Sequence, residues 1–300
     1  PQLPAARVAT WSVSTYERIQ RTISQRERII YTNSASPLES GLGKGLVVAA
    51  NPHAVQAGAT ILEAGGTEAD ALVAVQTVLG LVEPQSSGLG GGAFLVWYDA
   101  ASGKLTTIDG RETAPLAATP RLFQDEHGEP LRFFDAVIGG RSVGTPGTPA
   151  LLQMAHDKWG KQPWAGLFDP AIKLATNGFA VSPRLAGLVA RDAERLASDT
   201  TAAAYFLPNG TPVASGATLV NSAYAASLTA VAQGGADAFY AGDIAADIVA
   251  VVTSAPGNPG VLSAVDLAIY QAKERPAVCA KYRAHDVCGM GPPSSGALTV

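Results

Sequence analysis

Cysteine, histidine, methionine and charge are all scarce in this 300-residue chain: two Cys, four His, two Met, and only 15 % Asp, Glu, Lys and Arg together. Each shortage excludes something. The histidines, His53, His127, His156 and His285, are scattered, and no Cys/His spacing suggests a zinc site. No Lys/Arg cluster appears and the formal net charge is −4, so the phosphate-neutralising stripe that nucleic acid requires is missing. Asp70 and Asp247 interrupt the longest apolar helical stretches, so no segment reads as a membrane span. The chain begins at Pro1 with no Met and no charged-then-apolar leader, which reads as a processed or a recombinant form.

What is present is apolar and small. Hydrophobic residues make up 47 % of the chain and Gly and Ala are abundant, the composition of a globular protein with closely packed helices. Residues 1–44 are mixed and polar; residues 18–31 fit a short helix or an extended surface segment. From Gly45 the pattern tightens. Leu46–Ala50 is a continuous apolar run and predicts a buried strand. Residues 53–66 carry Ala54, Ala57, Ile61 and Leu62 at helical spacing and stop at Gly65–Gly66. Thr67 and Asp70 form a variant capping box for a second helix, apolar almost all round. Strands over 93–99 and 104–109 follow, joined by a short turn. Helices covering a sheet with both faces buried predict a layered α/β architecture.

Farther on, 123–135 reads as an exposed polar loop. Asp169–Pro170 starts a helix that Asn177–Gly178 ends. Helices are predicted over 182–199, 222–233 and 236–254, with a short one from Ser263. Cys279 and Cys288 flank a short hairpin, where a two-residue loop at Arg283–Ala284 would set them opposite each other. A disulfide or two reduced, buried thiols both fit. No linker or internal repeat appears, so the chain reads as one domain or a piece of one.

The chemistry concentrates in Glu83–Pro115. Gly88–Ala93 fits the dinucleotide fingerprint literally, but that fingerprint needs a strand before it and a helix N-terminus after it. Here the order is reversed, which removes a nucleotide. The glycines instead allow close backbone approach or positive φ. Arg111 and Glu112 follow a strand expected to be buried, where charges need partners. Arg111 either anchors an acidic substrate group through its planar fork or pairs internally with Asp109 or another acid. No Ser/His/Asp triad can be assembled. Ser294 and Ser295, after two prolines, sit in a tight turn that lines a pocket or merely turns the chain.

Seven segments in order resemble the large-subunit portion of the γ-glutamyltranspeptidase family, from about Gly45 to the end. They are 45–75, the Gly-rich 83–94, the 108–115 segment IDGRETAP, the 142–152 segment SVGTPGTPALL, the pair PAIKLATNGFAVS and GDIAADIV, and GMGPPSSGA near the end. The resemblance implies an α/β (α+β) fold, the four-layer αββα sandwich of N-terminal-nucleophile hydrolases. That sandwich is completed by a small subunit cut from the same precursor. It implies acyl transfer from the γ-glutamyl amide of glutathione-like compounds to water, amino acids or peptides, with an N-terminal Thr of the small subunit as nucleophile. Arg111 matches the arginine that holds the glutamyl α-carboxylate; Glu112, Ser294 and Ser295 belong to the pocket or its surroundings.

No catalytic residue is assigned within this chain, and no metal or cofactor is implied. On this reading residues 1–44 are an N-terminal extension and 45–300 a large-subunit portion, incomplete at its C-terminus. The family's usual export suggests a periplasmic or secreted enzyme. Gly110 stands where the family usually carries an aromatic residue, and Gly296–Ala297 where it carries two glycines. Relatives on the same scaffold deacylate glutaryl-cephalosporin-type amides, so a cephalosporin-acylase-like amidase is the alternative. A non-catalytic binder of acidic ligands is a third reading.

Overall fold

The computed structural model describes residues 45–299, which fall within one compact unit, Ser40–Val300. The predicted segment 18–31 lies outside the described residues. Helix Glu68–Val82 is the centre of the packing. It is apolar on nearly every face, as the sequence requires, and it touches helices Pro52–Glu63, Thr148–Trp159 and Asp169–Asn177. Val73, Val78 and Leu81 from this helix meet Leu151, Leu152, Phe168 and Leu228 in one continuous core.

Its entry is fixed by the predicted capping box: Thr67 Oγ1 accepts from the Asp70 amide, and the Asp70 carboxylate accepts from the Thr67 amide. The carboxylate, fully buried, also accepts from the Lys161 and Gln162 amides. It thus locks the turn after helix Thr148–Trp159 against the start of the central helix. Three backbone N–H groups, those of Thr67, Lys161 and Gln162, compensate a buried charge that would otherwise be costly.

Three strands form the principal sheet, in the order β1 (Ala93–Asp99), β2 (Lys104–Gly110), β5 (Lys273–Arg275), all antiparallel. Leu95 lies opposite Ile108, and Trp97 stacks on Trp159 with ring centroids 4.4 Å apart. That face rests on helix Thr148–Trp159. The other face of β1 is not covered: Val96 is 44 % and Tyr98 63 % exposed. The expectation of burial on both faces therefore holds for the central strand β2, where Thr106, Thr107 and Ile108 are all buried, but not for β1, which shows the alternation of a half-covered strand.

Two minor pairs complete the β structure. The first joins β3 (Phe179–Ala180) to β4 (Thr218–Leu219). The second is the hairpin of β6 (Val278–Tyr282) and β7 (His285–Gly289). Its two-residue turn places Cys279 opposite Cys288, and the two are bonded, which decides the sequence-level alternative.

Other expectations shift. Leu46–Ala50 is not a strand; Leu46 and Val48 are exposed, and Val47 packs on Gly58 of helix Pro52–Glu63. An apolar run without a pairing partner cannot satisfy a ladder, so propensity alone did not make a strand. The predicted helix 182–199 breaks at Asp192 into Pro183–Arg191 and Ala193–Leu196. The predicted helix 236–254 divides at Gly242, whose φ is +72°, into Asp237–Tyr240 and Gly242–Thr253. The loop 123–135 carries the start of a one-turn helix, Phe133–Val137.

Candidate functional site

Arg111 is held in place through its own backbone N–H and carbonyl. At the end of β2, Asp109 accepts from the Arg111 amide at 3.0 Å, and Asp109 itself pairs with Arg275 at 2.7 Å. The second fork of Arg275 donates to the Pro292 carbonyl at 2.7 Å. This one guanidinium therefore ties the Pro-Pro-Ser-Ser turn to the residue that holds Arg111. On the opposite side, the Tyr270 hydroxyl donates to the Arg111 carbonyl at 2.7 Å.

The Tyr270 ring stacks on Tyr240, whose hydroxyl donates to the Pro146 carbonyl and accepts from the Ala150 amide at the start of helix Thr148–Trp159. Burial pushes the Tyr270 hydroxyl up to about 12, and the Asp109 and Glu112 charges beside it act in the same direction. It remains a donor at every ordinary pH.

The Arg111 side chain is exposed, and among the described residues its guanidinium has no acidic partner. The internal pairing considered from the sequence does not form; Asp109 is taken by Arg275 instead. A positive fork on an immobilised backbone, facing open space, is the arrangement that bidentate carboxylate recognition requires.

The glycine-rich loop supplies the neighbouring wall. It starts at Glu83, a buried carboxylate held by Asn51, Gln85 and Arg184. None of Gly88 to Gly92 has positive φ, so backbone strain is not why these residues are small. Close approach is the reason at Gly92: an added Cβ would lie 2.7 Å from the Glu112 amide nitrogen and 2.8 Å from Arg111 Cα. The Gly91 carbonyl accepts from the Gly147 and Thr148 amides, and Thr113 exchanges two backbone bonds with Thr145. Gly110 packs under helix Thr148–Trp159, with no room for a side chain; a Cβ there would sit 2.5 Å from Leu151 Cβ.

Two grooves meet at this point. One of about 480 Å3 is lined by Gly90, Arg111, Glu112, Phe123, Arg141 and Gly144, among others. The other, about 450 Å3, includes Gln76, Ser86, Ser87 and Gly92 and shares Gly90 and Glu112. A larger hollow of about 680 Å3 over residues 193–210 has Glu194 as its sole charged lining residue and offers no anchor for an anion. The site is thus better located by the chemistry of the walls than by volume.

Of the residues singled out from the sequence, Arg111 and Glu112 line these grooves. Ser294 is half-buried and Ser295 exposed; both lie in the turn tied to Asp109 through Arg275, and neither lines either groove. Sequence reasoning missed Tyr270, Arg275, Gly147 and Arg141. Each acts across more than twenty residues of chain separation, and no local pattern marks it. Among the described residues no three His, Cys, Asp or Glu side chains converge as metal ligands.

Comparison with known proteins places this geometry. The family model described as gamma-glutamyltranspeptidase matches residues 54–300. The glutathione hydrolase proenzyme of Bacillus subtilis (strain 168) is 38 % identical over 254 residues, covering 85 % of this chain and 43 % of that protein. The acylase ACY 1 proenzyme of Pseudomonas sp. (strain SE83) is 37 % identical over 262 residues, covering 86 % of this chain and 46 % of that protein. The chain therefore spans less than half the length of these relatives. The crystal structure of Helicobacter pylori gamma-glutamyltranspeptidase superposes with a TM-score of 0.81 at 34 % identity, covering 87 % of this chain and 73 % of that one. The mixed helix–strand fold is accordingly the N-terminal-nucleophile hydrolase fold expected from the sequence. The chain belongs to the gamma-glutamyltranspeptidase family.

Proposed function

We propose that this chain is the large-subunit portion of a γ-glutamyl transferase/hydrolase, with residues 45–300 forming that portion and residues 1–44 an N-terminal extension. The observation that carries the reading is Arg111: an exposed, acid-free guanidinium on a backbone clamped by Asp109 and Tyr270, at the mouth of a groove. It holds the α-carboxylate of a γ-glutamyl donor. The nucleophile is the N-terminal Thr of a small subunit released from the same precursor. Its hydroxyl attacks the γ-amide carbonyl while its own α-amine takes the proton. The C–N bond breaks, the amine departs carrying that proton, and the glutamyl ester passes to water, an amino acid or a peptide. Glu112, at the junction of the two grooves, and the Ser294–Ser295 turn border the acyl pocket. A periplasmic or secreted location fits this reading; no helix among the described residues is long and apolar enough to cross a membrane.

A second reading, a cephalosporin-acylase-like amidase, is favoured by the acylase relative at 37 % identity. Turnover by the enzyme assembled from the complete precursor separates the two. A γ-glutamyl anilide cleaved at least tenfold faster than the matching glutaryl anilide, about 1.4 kcal/mol in transition-state binding, supports the first reading. The reverse order supports the second. Amino-terminal sequencing of the smaller fragment should begin at Thr.

A further inference from the structure

The groove at Arg111 holds a second cation. Arg141 lines the same 480 Å3 space, and its backbone is as firmly set as that of Arg111. The Gly140 and Arg141 amides both donate to the Asn258 carbonyl, at 2.8 and 3.2 Å. Gly140 is pressed so closely on the 252–260 segment that a Cβ would lie 1.9 Å from the Val252 carbonyl oxygen. One nitrogen of the Arg141 fork, Nη1, donates to the Leu122 carbonyl at 3.0 Å; Nε is buried with no partner. Among the described residues no carboxylate lies within ion-pair reach of it. Glu112 is the only acid lining the groove, against two guanidinium groups.

A guanidinium with one carbonyl partner and no carboxylate leaves its charge uncompensated beside the groove, where an anionic ligand can pair with it. Once Arg111 takes the carboxylate of the acyl part, a second anion in the groove must belong to the amine part of the substrate. We propose that Arg141 is a subsite for the carboxylate of that amine, so that the enzyme prefers γ-glutamyl peptides over neutral γ-glutamyl amides. The leaving amine and an incoming acceptor amine occupy the same side of the acyl carbonyl. The same carboxylate recognition therefore serves donors in hydrolysis and acceptors in transfer. The inference rests on the γ-glutamyl reading above and names the substrate class of that site.

The test compares γ-glutamylglycine with γ-glutamylglycinamide, which differ only in the terminal charge, using the enzyme assembled from the complete precursor. The wild type should favour the acid by about tenfold in kcat/KM, the scale of one charge-assisted hydrogen bond. Arg141→Gln should abolish the preference by raising KM for the acid alone, and Arg141→Lys should restore part of it. Transfer to glycylglycine against its amide reads the acceptor arm in the same way. Equal loss on acid and amide in Arg141→Gln assigns Arg141 to holding the Leu122 loop only and overturns the proposal, as does a wild type with no preference. If the wild type cleaves neither γ-glutamyl compound but does cleave glutaryl amides, the γ-glutamyl reading fails. Arg141 is then judged by the same acid–amide comparison on glutarylglycine and its amide. Cleavage of neither pair sinks both.

Discussion

Arg111 owes its position to bonds made by its main chain, and its side chain is left with nothing to do inside the protein. Tyr270 is half of that clamp. An unfolded tyrosine titrates near 10, whereas burial raises Tyr270 to about 12. A raised folded value means its contribution to stability is whole below the unfolded pKa and is lost as pH rises through the folded one. Ultraviolet titration of wild type minus Tyr270→Phe should therefore show one phenol ionising near 12 and not near 10. The same substitution leaves the Arg111 carbonyl without its donor, a loss of about 1 kcal/mol. The glycines give a sharper contrast. An alanine at Gly92 meets backbone atoms of Glu112 and Arg111, which cannot rotate away, whereas nothing lies within 4 Å of a Cβ at Gly90. Thermal unfolding should show Gly92→Ala destabilised by about 1–3 kcal/mol and Gly90→Ala near neutral. Equal midpoints would contradict the close-approach account.

At the scale of elements, the Thr67–Asp70 box was legible because both partners lie within one turn and belong to known cap chemistry. The reach of Asp70 to Lys161 and Gln162 was not legible, since nothing local announces a contact across ninety residues. The two contributions are separable. Thr67→Ala should cost about 1 kcal/mol as a lost cap. Asp70→Ala strips the partner from the Thr67, Lys161 and Gln162 amides at once and should cost about 3 kcal/mol. Urea unfolding of both variants measures the difference, and equal costs would mean that Asp70 acts only as a cap. The same distinction explains the strand that did not form. Leu46–Ala50 has strand composition, yet pairing is a tertiary event, and among the described residues no neighbour offers it a ladder. The Cys279–Cys288 bond was half-legible: the hairpin register followed from the turn, and the redox state did not. The breaks at Asp192 and Gly242 interrupt patterns whose apolar spacing continues across them.

For the whole molecule, the order of the motifs carried more than any single residue. Fold and family were readable from seven weak segments in sequence. Of the candidate site, only Arg111 and Glu112 could be singled out from the sequence, because the groups around them come from strand β5, the Tyr240–Tyr270 stack and the 144–147 turn. The Val96–Tyr98 face of edge strand β1 stays open among the described residues. On the proposed reading activity belongs to the assembled enzyme, and the contribution proposed for this chain is the carboxylate anchor. The most direct measurement is steady-state kinetics of Arg111→Ala, assembled from the complete precursor, on a γ-glutamyl anilide. Losing two charge-assisted hydrogen bonds, roughly 3 kcal/mol together, should raise KM about a hundredfold, with kcat changed far less and with partial recovery in Arg111→Lys. A folded, processed Arg111→Ala enzyme with unchanged kcat/KM would contradict the account.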